Sequence, residues 1–279
     1  MYTYLIVTAD DFGLHESVNE AVEQASRAGT LNAASLMITA RASQDAVRRA
    51  RLLPNLRVGL HVVLADGWSA LDAQWMRSDL FRSGVRFFFK PGERRRLEAE
   101  IRAQFAAFAR TGLALDHVNV HKHLHIHPTV LGVLLAVGKD YGMPAMRVPA
   151  EPFWFAAKNA GLLPGLAQAA LSPWIAWMKH RLRRARVFHN DRIFGLSGSG
   201  AMDEKALLAA LARLPGGVSE IYLHPATQSG SAIALSMSAY RHAAEFDALL
   251  SSQVRSALNA VDFRGGFTQV RAAMGRSLA

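Results

Sequence analysis

Apolar runs of four to six residues alternate with segments of helical period along most of the chain. "LIVTA" (5–9) reads as a buried strand, and 17–29 as a helix with Ser17 near its start and Gly29 as its stop. "ASLMI" (34–38) and "LRVGL" (56–60) read as the next strands, separated by a helix over 43–53 that Pro54 ends. A loop-like stretch around Trp68 and Trp75 leads into a helix over 93–112. Further strands are expected at "DHVNV" (116–120), "AMRV" (145–148) and "EIYL" (220–223), with helices at 129–141 and 203–214 between them. A helical tail over 240–260 precedes "FRGGFTQV" as a last strand. This alternation indicates βα units around a parallel sheet. About seven strands favour an irregular, TIM-like (β/α) barrel, closed or nearly closed, over an open sheet. Residues 1–279 read as a single domain, with no internal repeat or low-complexity tract.

One segment breaks the rhythm. Between Pro152 and Met178 the only charge is Lys158, and three of the five tryptophans fall there. Pro164, Pro173 and the glycines cut the run into pieces too short for a membrane span. With the cationic "KHRLRRAR" (179–186) it forms a helical insertion over about 152–190. The insertion either packs on the barrel or presents an amphipathic, lipid-facing surface.

Polar residues fall where the apolar runs end. Asp10 and Asp11 follow the first strand, His61 the third, His121 the run "DHVNV", and His224 the run "EIYL". In a parallel barrel such ends converge on one face. Adjacent aspartates repel and are costly to desolvate, and a cation resolves that cost. Two imidazoles and one carboxylate form a ligand set for a divalent metal with open positions. One aspartate of the pair can ligate while the other takes a proton from water, and His224 can protonate a leaving amine. That is hydrolytic chemistry on an amide or ester. In "HKHLHIHP", His121 is the expected ligand and His125 a substrate or supporting contact. His123 and His127 read as structural, and His15 and His117 carry no assignment.

Composition narrows the alternatives. With no cysteine, disulfides, thiolate zinc sites and cysteine nucleophiles are excluded. The net charge of +10 suits an anionic partner such as a membrane surface. The "RRR" at 94–96 reads as a solvated helix face, and no nucleic-acid module is found, so no nucleic-acid partner is expected. "GLSGSG" (195–200) misses the Gly-x-Ser-x-Gly elbow and reads as a flexible turn, and no P-loop or dinucleotide fingerprint occurs. Met1 runs into the first strand without a basic leader, so a cytoplasmic protein is expected, with peripheral attachment at the inner membrane as a variant.

"TADDFG", "GLH" (59–61), "DHVNVHKHLHIHP" (116–128) and "YLHP" (222–225) together resemble the YdjC-like carbohydrate deacetylase family, in its motif order and from about residue 4 to 260. The resemblance implies an irregular (β/α) barrel that removes acetyl groups from N-acetylated amino sugars with one divalent metal, zinc or magnesium. It implies Asp11, His61 and His121 as metal ligands, Asp10 as base and His224 as acid. "GVRFFFKPGERRRLEAEIRAQFAAF" (84–108), "NVHKHLHIHPTV" and "YGMPAMRVPAEP" resemble the branch associated with hopanoid biosynthesis. That branch implies a glycolipid substrate with an N-acetylglucosamine headgroup. Asn119 stands where chitooligosaccharide-deacetylating relatives carry Asp, which weakens a soluble-oligosaccharide reading. Arg147 is expected to contact substrate. The rivals are a deacetylase of soluble oligosaccharides, a metal-dependent sugar isomerase and a non-enzymatic membrane-surface binder. Oligomeric state is left open.

Overall fold

β1 (Thr3–Phe12) extends past its apolar run to carry Asp10 and Asp11 inside the strand, and every residue after Thr3 is buried. The computed structural model describes residues 2–76, 91–229 and 233–277; residues 84–90 of the segment quoted above lie outside them. β1 sits mid-sheet in the order β6-β3-β2-β1-β8-β7. Here β2 is Ala33–Leu36, β3 Arg57–Val62, β6 Val118–Val120, β7 Arg192–Phe194 and β8 Gly217–Leu223. Neighbours along this path pair in parallel. The two ends curl toward each other and meet through residues 145–150. Bridges join Val118 to Met146 and Ala145 to Phe188, and Ile193 N–H donates to the Ala150 carbonyl at 3.2 Å.

"AMRV" therefore contributes single bridges and not the expected strand. Asn190 takes the place of a backbone partner, its side chain accepting from Val148 N–H at 2.7 Å and donating to the Val148 carbonyl at 2.8 Å. β7 was not foreseen, being only three residues long. The expected last strand shrinks to β9 (Phe263–Arg264), which pairs with β1, and Phe267–Ser277 is a helix. The expected tail helix is two, His242–Leu250 and Ser252–Asn259, with Ser251 Oγ capping the second. A short antiparallel hairpin, β4 (Gly67–Trp68) with β5 (Trp75–Met76), projects after β3.

Strand alternation sorts the side chains. Leu5, Val7 and Ala9 face outward onto Val18, Val22 and Ala25 of the helix Glu16–Arg27 in the main core. Tyr4 and Ile6 face inward and pack with Val218, Ala145 and Phe267 as the apolar floor of the barrel. Above that floor the interior is polar. Thr8, Ser35, His117, Asn119, Arg147 and Glu220 are all fully buried. Gly59 makes room for one of them, because a Cβ there would lie 2.5 Å from the His117 ring.

The floor connects to the strand ends by hydrogen bonds. Asp116 accepts the N–H groups of Phe267 and Thr268 at 2.9 and 3.0 Å, at the start of the helix Phe267–Ser277. His117 joins Asp116 at 3.0 Å through Nδ1 and Ser35 at 3.0 Å through Nε2. Ser35 Oγ in turn accepts from Asn119 at 2.9 Å.

The insertion over 152–190 holds three helices, Phe153–Ala160, Leu162–Ala170 and Ser172–Arg184. Phe155, Ile175, Met178 and Leu182 are buried against the core, whereas Leu162, Leu163 and Leu166 are exposed. Among the described residues no helix is long and apolar enough to cross a membrane.

Candidate metal centre

Adjacent residues of a regular strand point to opposite faces. β1 departs from that rule at its end. Its register with β2 shifts between Ala9 and Phe12, and Asp11 adopts φ 62°, which non-glycine residues seldom do. The irregularity lets Asp10 and Asp11 both reach the same side of the barrel.

Asp11 Oδ1 lies 3.3 Å from His61 Nε2 and 3.4 Å from His121 Nδ1, and those two nitrogens are 3.3 Å apart. His61 belongs to β3, and His121 follows β6 directly. All three residues are buried, and their ligand atoms lie within 4.8 Å of one another. Neither Asp11 oxygen has a hydrogen-bond partner. A buried carboxylate without a donor is costly, so this donor set fits a divalent cation. Asn119 prepares one ligand. Its Nδ2 donates to Asp10 Oδ1 at 3.0 Å, so its Oδ1 accepts from His61 Nδ1–H at 2.7 Å. That leaves the His61 Nε2 lone pair directed at the cluster.

Asp10 is held from behind. Arg147 Nη2 donates to its Oδ1 at 2.9 Å, and Nη1 contacts Oδ2. The same guanidinium binds Glu220 at 2.8 and 3.0 Å, and Thr8 Oγ1 donates to Glu220 at 2.8 Å. Burial would raise the Asp10 pKa, but the Arg147 charge and hydrogen bonds, with the charges of His61 and His224, together more than reverse it and hold the carboxyl well below the usual carboxylate range. Asp10, Asp11 and Glu220 thus bring three buried carboxylates against one guanidinium, an excess of negative charge that a divalent cation would balance.

The strand ends enclose a cavity of about 160 Å³ lined by Asp10, His61, His121, His123, Tyr222 and His224, among others. Five of the seven expected site residues are brought together here. Asp10, His61, His121 and His224 line the wall, and Asp11 lies against the two ligand histidines. Arg147 and His125 are placed elsewhere. Arg147 is fully buried behind Asp10, and His125 Nε2 lies 3.1 Å from the Arg147 carbonyl. Burial and the Arg147 charge push the His125 imidazole down to about 3, so it is neutral. The physical reason is the chain path. β6 ends at Val120, and positive φ at Lys122 and His123 turns His123, not His125, to the cavity. His123 Nε2 pairs with the Tyr222 hydroxyl at 3.1 Å, and His127 caps the helix Pro128–Asp140.

His224 Nδ1 is buried without a hydrogen-bond partner, and burial pushes its imidazole down to about 4 against the pull of Asp11 and Asp10. Its backbone N–H donates to Glu245, and the Tyr240 ring packs on it with centroids 5.0 Å apart. Tyr222, Tyr240 and His123 were missed as wall residues. For Tyr222 a signal existed: Glu220, Tyr222 and His224 alternate along β8 and its end, so all three face inward.

Residues 4–260 match the profile of the YdjC-like protein family. The chain belongs to this family. Among its relatives, a carbohydrate deacetylase of Mus musculus is 31% identical over 248 residues, 79% of this chain and 77% of that protein. A carbohydrate deacetylase of Brevibacillus brevis is 36% identical over 150 residues, 52% of this chain and 59% of that protein. The match spans about three-fifths of the length of such bacterial YdjC-like relatives. A crystal structure from Enterococcus faecalis, provisionally assigned to cellobiose-phosphate cleavage, superposes with a TM-score of 0.72 at 20% identity. That superposition covers 95% of this chain and 97% of the other, and it supports the fold.

Proposed function

We propose that this chain is a metal-dependent N-deacetylase acting on an N-acetylglucosamine headgroup, carried by a hopanoid. The observation that carries the reading is Asp11, a buried carboxylate with no hydrogen bond, facing two imidazole nitrogens at 3.3 and 3.4 Å. The carbohydrate deacetylases among its relatives support the substrate class. Asp11, His61 and His121 would hold the metal, with Asp10 and His224 as acid–base groups beside it. Bound there, such an ion would supply Lewis-acid chemistry, polarising an acetamide carbonyl and making water more acidic.

The chain's own groups supply the rest. Asp10 Oδ2 or Oδ1 takes the proton from the attacking water, and Arg147 and Asn119 fix its orientation. The proton that Asp10 takes passes through His224, which lines the same cavity, to the departing nitrogen as the C–N bond breaks, giving acetate and the free amine. Arg147 and His125 serve as positioning residues, because their side chains are engaged behind the cavity. The exposed leucines 162, 163 and 166, with exposed Arg183, Arg184 and Arg186, support peripheral contact with an anionic membrane surface.

Acetate release from an N-acetylglucosaminyl hopanoid, run beside a soluble N-acetylglucosamine oligomer and with and without chelator, tests the reading. Chelator-sensitive release from the lipid substrate supports it. Release from the oligomer alone keeps the chemistry and discards the lipid. No acetate from either favours the isomerase, which forms none.

A further inference from the structure

The segment "GLSGSG" (195–200) reads by its glycines as a flexible turn, but the structure pins it as a wall of the metal cavity. Leu196 and Ser199 line that space. Buried Glu151 grips the segment from behind, its carboxylate accepting the N–H groups of Gly195, Leu196 and Ser197 at 3.1, 2.8 and 2.9 Å. Both end glycines are required. Gly195 has φ 115°, and a Cβ there would lie 2.5 Å from the Tyr222 carbonyl oxygen. Gly200 has φ 77°, and a Cβ there would clash with the Tyr240 ring. The Gly200 carbonyl accepts from Arg241 N–H at 2.7 Å, which ties the loop to the residue after Tyr240.

What this fixes is a row of hydroxyls. Ser199 Oγ lies 2.9 Å from the Tyr240 hydroxyl and interacts with that of Tyr222, which pairs with His123 Nε2 at 3.1 Å. All four residues line the cavity, and the hydrolysis proposed above uses none of them. A hydroxyl both donates and accepts. An acetamide carbonyl only accepts, whereas a sugar hydroxyl does both and loses both kinds of bond when it leaves water. The Tyr240 ring packs on His224 with centroids 5.0 Å apart. Because His224 serves the departing nitrogen, the sugar carbons nearest that nitrogen come next to Tyr240.

We propose that the Ser199–Tyr240 hydroxyl pair hydrogen-bonds one hydroxyl of the amino sugar and so determines which sugars the site accepts. The inference rests on the deacetylase reading for the place of the nitrogen. Glu151 is a positioning residue, acting through the loop that it holds.

The test uses the metal-loaded full chain with methyl N-acetylglucosaminide and its 3-deoxy, 4-deoxy and 6-deoxy analogues. Affinity is read by titration calorimetry and turnover by acetate release, in wild type, Tyr240→Phe and Ser199→Ala. In wild type one deoxy analogue is expected to bind about tenfold more weakly than the parent, with kcat/KM following. Each variant brings that one ratio toward one and leaves the other two ratios as they are, which a general loosening of the cavity would not do. Tyr240→Phe keeps the ring that packs on His224, and Ser199→Ala covers the case in which that ring shifts. Equal affinities for all four glycosides in wild type overturn the proposal, as does a preference that persists in both variants. If no glycoside yields acetate, the deacetylase reading fails, while the affinity ratios and their response to the variants still decide the hydroxyl pair. No measurable affinity for any of them overturns both.

Discussion

Arg147 clasps Asp10 with both terminal nitrogens while its Nε and Nη2 hold Glu220, so one fully buried guanidinium joins two carboxylates from separate strands. Removing it leaves both acids buried and unpaired. Arg147→Met is therefore expected to lower unfolding stability by about 3–5 kcal/mol, and adding Glu220→Gln recovers part of the loss. Urea unfolding of the single and double variants checks this. A single variant within about 1 kcal/mol of wild type would contradict the buried pairing.

The two aspartates separate by role. Asp11→Ala is expected to abolish metal binding, because it removes the one carboxylate of the Asp11–His61–His121 cluster. Asp10→Asn keeps the metal and lowers turnover by about 100- to 10,000-fold. Metal content by elemental analysis, set beside acetate release, distinguishes them. Stoichiometric metal in Asp11→Ala sinks the ligand assignment.

Glu245 gives the pH dependence a sign. It is fully buried, and burial pushes its carboxyl up to about 7 against the hydrogen bonds from the Met202 and His224 N–H groups. The folded protein then holds this proton more tightly than the unfolded chain does. The contribution is complete below about pH 4.5 and is lost as pH rises toward 7, roughly 3 kcal/mol in all. Other buried groups, His125 and His224 among them, titrate alike in both proteins, so from pH 4.5 to 8 the unfolding free energy of wild type should fall relative to that of Glu245→Gln. An identical slope in both proteins removes Glu245 as its source.

Gly59→Ala tests the polar interior. The added methyl meets the His117 ring at 2.5 Å, and that ring is pinned by Asp116, Ser35 and the stacked Phe267. A loss of about 1–3 kcal/mol is expected. A melting temperature equal to wild type would mean that His117 moves freely.

Much of the site was legible because its residues end apolar runs. His61, His121, His224 and the aspartate pair could be placed at strand ends from the hydrophobic pattern alone, and the structure gathers them. Arg147 and His125 could not be placed that way. They lie on irregular chain, where side-chain direction follows no period, and Arg147 is buried by partners 137 and 73 residues away. The insertion was half legible. Its proline and glycine breaks predicted separate helices, but only the tertiary packing decides that Phe155 turns inward while Leu163 faces water.

The hydrogen bonds from the barrel floor to the strand ends have a consequence for the order of assembly. Asp116 receives its donors from Phe267 and Thr268, and through His117, Ser35 and Asn119 the same chain of contacts orients Asp10 and His61. During synthesis, β1, β3 and β6 leave the ribosome well before residue 267. Until that residue arrives, Asp116 lacks those donors and the interior stays open at its base. Asp10 and the ligand His61 are thus aligned only once residues 267 and 268 have been made, so a nascent barrel that stops short of them is a poor metal trap.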